Sequence, residues 1–124
     1  MIVHYIAVGI GGAIGSIARV FLSKLFPVSV SGIPVQILLV NVIGCFIIGL
    51  LAEVTALYWP VSENVRYFLI SGILGGFTTF SAFALEFGLL VEKNNYMEAI
   101  LYAILSFGLS IGFFFLGLKL VRFV

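Results

Sequence analysis

Four long apolar runs, joined by short polar or proline-bearing segments, make up nearly the whole chain. The first extends from about Ile2 to Leu25, and Lys24, Phe26 and Pro27 close it. A loop from Val28 to Pro34 follows, with Ser29, Ser31, Gly32 and Pro34 as breakers. The second run covers about Val35 to Leu57; Tyr58 and Trp59 form an aromatic belt and Pro60 stops the helix. Ser62 is a fair N-cap for the third run, about Val65 to Val91. After the polar turn Glu92-Lys93-Asn94-Asn95, the fourth run spans about Tyr96 to Leu118, with Lys119 and Arg122 beyond it. Each run reaches the roughly 20 apolar residues that a membrane-crossing helix needs.

The third run is the irregular one. Gly75-Gly76 and Thr78-Thr79 lower helix propensity in its middle, where the flanking Leu, Ile and Ala do not. In hydrocarbon a broken helix exposes carbonyls that nothing hydrates, unless they line a cavity or bind an ion. The pattern therefore predicts four transmembrane helices, the third broken at mid-membrane over residues 75–79.

Composition agrees. Of 124 residues, 63% are hydrophobic and only 9% charged, with mean hydropathy +1.32, whereas a soluble domain is about a quarter charged. This is an all-α integral membrane protein with no room for a soluble domain. The start carries no Lys/Arg region of a signal peptide, so it reads as the first span. A net charge of +1 suggests no nucleic-acid partner, and the lone Cys45 cannot form an internal disulfide.

Charge placement adds a prediction about assembly. Four spans put Arg66, Lys119 and Arg122 on one side and Arg19, Lys24 and Lys93 on the other. Orientation follows Lys/Arg imbalance, and here there is none. The chain can thus insert both ways, and two copies can pair as an antiparallel, dual-topology homodimer with the inverted symmetry of larger transporters.

Catalytic chemistry is missing: the sequence has no His cluster, no carboxylate pair, and no nucleophile beside a base. His4 reads as interfacial. What the spans contain is mild polarity at Asn41, Thr78, Thr79, Ser81, Tyr102, Ser106 and Ser110. Asn41 needs a partner or a polar cavity, and Tyr102, Ser106 and Ser110 recur every fourth residue on one stripe. Arg19 is either a snorkelling anchor or a hydrogen-bond donor to a neighbouring helix or loop. Glu86 is the one acid well inside a span, a vestibule or snorkelling carboxylate; Glu53 and Gln36, near span ends, read as interfacial. Phe80 and Phe83 share a helical face and could offer ring edges to an anion, or simply pack. Gly11 and Gly15, Gly12 and Ser16, and Gly108 and Gly112 are small-residue pairs suited to close helix packing.

Three separated motifs carry a family resemblance. Gly75-Gly76-Phe77-Thr78-Thr79-Phe80-Ser81-Ala82-Phe83, Gly12 to Arg19, and Asn41-Val42-Ile43-Gly44-Cys45-Phe46 together resemble the Fluc (CrcB) family of fluoride channels. That resemblance implies an antiparallel homodimer in the bacterial inner membrane that exports fluoride passively through two parallel pores and rejects chloride. It implies a fluoride pore at Asn41, Phe80, Phe83, Ser81, Tyr102, Ser106 and Ser110. It also implies a central Na+ held by the backbone carbonyls of Gly75 and Thr78, with Arg19 as a structural arginine near a pore entrance. One departure stands out: Ala82 occupies a position where the family usually has Thr.

Two other readings compete on the residues alone. A small dual-topology coupled exporter would want an acidic residue mid-span in the first helix, which is absent here. A structural membrane subunit would tolerate substitution of Asn41, Phe80 and Phe83.

Overall fold

The computed structural model describes residues 1–25, 29–30 and 32–123. Phe26, Pro27, Val28 and Ser31, read above as part of the first span's close and loop, lie outside the described residues. Four helical stretches are long and apolar enough to cross a membrane: Ile2–Leu25, Val35–Leu57, Glu63–Glu92 and Tyr96–Arg122. We label the elements α1 (Ile2–Leu25), β1 (Ser29–Val30), β2 (Ile33–Pro34), α2 (Val35–Leu57), α3 (Glu63–Arg66), a π-helix (Tyr67–Leu74), α4 (Gly75–Phe77), α5 (Phe80–Glu92) and α6 (Tyr96–Arg122). Strands β1 and β2 form a minimal antiparallel hairpin, and Gly32 supplies the positive φ of its turn (+84°).

Two tight helix pairs organise the molecule. Helix α1 packs on the first half of the third span, and α2 packs on α6. Glycine makes both approaches possible. A Cβ on Gly11 would meet the Phe68 carbonyl, and one on Gly15 would strike the Ile73 carbonyl. From the other side, Gly72 meets Gly11 and Gly76 meets Gly12. In the second pair, Gly49 faces the Phe114 carbonyl and Gly117 faces the Phe46 carbonyl. Without a hydrophobic driving force between helices in lipid, such backbone-to-backbone contact is what holds spans together. Gly108 and Gly112 differ from the sequence expectation: a Cβ on either meets nothing within 4 Å, because they lie on the outer face of α6.

The third span departs most from a regular helix. Ser62 caps α3 by accepting the Val65 N–H. The helix then widens to π geometry from Tyr67 to Leu74, where Gly72 leaves space for the wider turn against α1. Helical geometry continues through Gly75–Phe77 and stops only at Thr78 and Thr79, which are extended (φ/ψ −82°/150° and −152°/120°). The interruption is therefore narrower than residues 75–79. Both glycines stay helical, Gly76 packing on Gly12 while Gly75 is exposed, and the two β-branched residues take the extended conformation that suits them.

The buried core lies between α2, α5 and α6 and contains Ile33, Leu38, Phe83, Leu90, Ala99 and Tyr102. Most other large apolar side chains, such as Ile14, Ile17 and Phe21 on α1, point outward, as expected of a surface solvated by lipid. Glu53 does not reach for headgroups as its sequence position suggested. It is 9% exposed and pairs with Arg122 at 2.9 Å, tying α2 to the end of α6. Replacing Glu53 by Gln should lower the thermal midpoint in detergent, at a cost of about 1–2 kcal/mol, since half-exposed Arg122 can turn to water. An unchanged melting curve would show that the pair contributes nothing.

Candidate functional site

The interruption at Thr78–Thr79 frees backbone groups, and their new partners define the site. In an unbroken helix the Thr79 N–H would bond to the Gly75 carbonyl and the Ala82 N–H to that of Thr78. Here Thr79 N–H donates to Asn41 Oδ1 (2.8 Å), and Ala82 N–H donates to Thr79 Oγ1 (3.1 Å). Thr79 thus acts as the N-cap of α5. Asn41 Nδ2 donates in turn to the Thr79 carbonyl (3.1 Å). One side chain from α2 therefore pairs with both backbone groups of the residue at the break. The amide carries two N–H bonds, so a second donor remains on Asn41.

The carbonyls of Gly75, Gly76 and Thr78 lose their helical donors at the same place. Arg19 takes one of them, its Nε donating to the Gly76 carbonyl at 3.2 Å. Of the two roles open to Arg19 in the sequence, the structure gives it the hydrogen bond to a neighbouring helix. The Gly75 and Thr78 carbonyls take no side-chain donor among the described residues, and Gly75 is exposed. Thr78 closes the first half-helix through its own N–H and hydroxyl, both on the Leu74 carbonyl at 2.9 Å. Its methyl group and the Phe77 ring sit against Gly44 of α2, where a Cβ would collide.

A cleft of about 250 Å³ opens beside the break, lined by Asn41, Cys45, Thr78, Thr79, Phe80, Phe83, Ser106, Phe107 and Ser110. Phe83 is at the centre of an aromatic cluster: its ring centroid is 5.5 Å from Phe80, 5.0 Å from Tyr102, and 5.5 Å from Phe107 in an edge-on arrangement. Phe83 is 7% exposed whereas Phe80 is 68% exposed, so the pair leads from the open face toward the interior. Beyond the rings, the hydroxyls of Tyr102 and Ser106 are buried without a hydrogen-bond partner among the described residues, as is Gln36 Oε1. Gln36 remains at the start of α2, as its position suggested, with its Oε1 turned inward. A buried unpaired hydroxyl is costly, which marks these positions as places where a polar ligand or water belongs.

The structure brings together Asn41, Phe80, Phe83, Ser106 and Ser110 in this one cleft, with Tyr102 behind Phe83. Ser81 is exposed and bonds with Thr79 Oγ1 rather than lining the cleft (3.1 Å). Glu86 is half-buried one turn past Phe83, outside the lining. Sequence reasoning named Thr79 among the polar residues of the spans but missed its capping role, which a threonine ahead of a helical run could have signalled. It missed two members, of which Cys45 could have been found as the residue one turn beyond Asn41. Phe107, adjacent to Ser106, carried no signal in a chain with 13 Phe.

The chemistry available is neutral: amide and hydroxyl donors with aromatic edges on one side, and bare carbonyl acceptors on the other. Among the described residues no group of His, Cys, Asp and Glu is arranged to hold a metal ion by side chains.

A family model described as CrcB-like protein, Camphor Resistance (CrcB), matches residues 6–118. Proteins named fluoride-specific ion channel FluC are similar over nearly the whole length. That of Rhizobium meliloti (strain 1021) is 44% identical over 121 residues, 96% of each chain. That of Rhodospirillum centenum (strain ATCC 51521 / SW) is 42% identical over 118 residues, 94% of each chain. That of Ruminiclostridium cellulolyticum (strain ATCC 35319 / DSM 5812 / JCM 6584 / H10) is 36% identical over 121 residues, 97% of this chain and 93% of the relative. The resemblance carried by the three sequence motifs is borne out, and the four spans make this a multi-pass membrane protein. With the match running through all four spans, the chain belongs to the CrcB-like family.

Proposed function

We propose that this protein is a fluoride-selective channel that lets fluoride leave the cell passively across the bacterial inner membrane and so protects against fluoride toxicity. One observation carries the reading: the buried hydroxyls of Tyr102 and Ser106, with no hydrogen-bond partner within bonding distance among the described residues, lie next to the Phe80–Phe83 cluster and Asn41. Fluoride is small and strongly hydrated, so a pore must replace its water with close neutral donors. A fixed Lys or Arg would hold the anion too firmly to release it, and none lines the cleft. Ring edges carry partial positive charge and add to the hydroxyl and amide donors. Ser110 extends this path of donors, Ser81 lies outside the cleft on the Thr79 hydroxyl, and Glu86 stands near a vestibule.

The channel is an antiparallel homodimer of two oppositely inserted copies. Balanced Lys/Arg placement supports this, and so do two small-residue faces that the chain itself leaves open. Ser71 and Gly75 are exposed four residues apart on the third span, and Gly108 and Gly112 on α6. The same pairing supports a structural Na+ at the dimer centre. The carbonyls of Gly75 and Thr78 fit a hard cation, which takes roughly six oxygen ligands. One copy offers too few, and a two-fold partner doubles them. When bound, the ion would supply fixed positive charge that holds the two interruptions together.

Fluoride efflux from liposomes containing the purified protein, with chloride as control, tests the function. Fluoride flux without chloride flux is expected. No fluoride flux, with or without Na+, overturns the reading. Phe80→Ile and Phe83→Ile should each abolish flux while the dimer remains assembled on size-exclusion chromatography. Retained flux in both would show that the two rings do not line the fluoride path. Ala82→Thr adds a hydroxyl beside the Thr79 cap and should raise fluoride flux without altering the fold. One hydrogen bond of about 1 kcal/mol is worth roughly fivefold in rate. Equal efflux from both versions would show that the position is dispensable.

A further inference from the structure

We infer that Cys45 is a modification site on the anion path, where a small sulfur electrophile caps the thiol and closes the pathway; the inference rests on the channel reading above. Cys45 lies one helical turn beyond Asn41 on α2 and lines the same cleft as Ser106 and Ser110. A lone thiol among apolar residues would be a packing residue. This one faces a cavity that also receives Ser106, itself 7% exposed, whose hydroxyl has no partner among the described residues. A hydroxyl left unpaired there marks the space in front of Cys45 as one that takes a polar ligand rather than a packed side chain. Cys45 is half-buried and lines the cleft, which is the route by which a reagent would approach its sulfur.

The thiol is small and is itself a weak donor, so it interrupts the polar path little. Capping changes both properties. With methyl methanethiosulfonate, the Cys45 thiolate attacks the methylthio sulfur. Its proton goes to water, the reagent's sulfur–sulfur bond breaks, and methanesulfinate leaves with the electron pair. The product is a mixed disulfide that removes the S–H donor and projects an apolar methylthio group between Asn41 and the serine track. An apolar constriction in a narrow pore closes it by dewetting.

The experiment treats the reconstituted channel with methyl methanethiosulfonate and reads fluoride efflux and intact mass on the same sample. Because Cys45 is the single cysteine, any methylthio mass gain reports this site alone. The expected result is one methylthio group per chain, an efflux loss of about tenfold or more, and recovery of both mass and flux on reduction. Fluoride present during treatment should slow labelling where chloride does not. In Cys45→Ala, the ratio of treated to untreated flux should stay at unity. Placing the thiol on the outer face of α1, as Ile17→Cys in the Cys45→Ala background, should give labelling without closure. Full labelling of the parent without loss of flux overturns the inference. So does labelling only after denaturation, or closure in the Ile17→Cys control. A protein that passes no fluoride before treatment overturns the channel reading, and this one with it. One that conducts, labels and stays open sinks this inference alone.

Discussion

Asn41→Ala should abolish fluoride flux and also destabilise the protein, a larger combined effect than any other single change in the cleft. The Asn41 side chain accepts from the Thr79 N–H and donates to the Thr79 carbonyl. Truncation leaves both backbone groups unpaired where no helix can satisfy them. Each part-buried orphan costs about 1–3 kcal/mol, so about 2–6 kcal/mol is expected in total. The α2 contact then no longer fixes where the helix stops, and α5, which carries Phe80 and Phe83, loses its starting point. Asn41→Asp separates the two roles. An ionised carboxylate still accepts from the Thr79 N–H, but it cannot donate and it places a negative charge on the proposed anion path. Stability nearer the parent with flux still lost would show that the contact to the Thr79 N–H holds the break and that conduction requires a neutral side chain at this position. If Asn41→Ala melts and conducts like the parent, the bidentate pairing is not what holds the break.

Gly15→Ala is the second, and its effect should be on packing first. The added Cβ would run into the Ile73 carbonyl and the Phe77 nitrogen. These are backbone atoms and cannot rotate away, so α1 must move off the third span. Overpacking of this kind costs about 1–3 kcal/mol, against which alanine returns about 1 kcal/mol of helix propensity. Gly9→Ala gains the same propensity and meets nothing within 4 Å, so it should be neutral or slightly stabilising. The comparison of the two thermal midpoints in one detergent isolates the contact. Displacing α1 also draws Arg19 away from the Gly76 carbonyl, so flux should fall together with stability. Equal midpoints for the two variants would show that α1 and the third span do not approach as closely as described.

Much of this protein was legible in its sequence, and the particular residues show why. Span number and limits follow from the runs of apolar residues, because a bilayer imposes one length on every crossing helix. The pair Gly11 and Gly15 was readable because small residues four apart define a face on any helix. Asn41 was readable because an amide inside a span must find a partner. The Thr-Thr step announced a break because β-branched residues favour extended backbone. The three motifs announced the family.

What the sequence could not give was partnership, since periodicity names a face and never says what meets it. Gly108 and Gly112 have the same spacing as Gly11 and Gly15, yet one pair packs within the chain and the other lies open. Glu53 and Arg122 are 69 residues apart, and only the docking of α2 on α6 joins them. Gly75 and Gly76 looked like part of the break, but both stay helical: Gly76 packs on Gly12, and the Gly75 N–H bonds back to the Gly72 and Ile70 carbonyls of the π-helical turn. Asn41 was known to need a partner, but only the tertiary structure shows that its partner is the backbone of Thr79. Local chemistry determined that the third span must be interrupted somewhere between residues 75 and 79. Packing against α1 and α2 decided that it is interrupted at Thr78 and Thr79, because only there does a side chain from another helix replace the hydrogen bonds that the break removes.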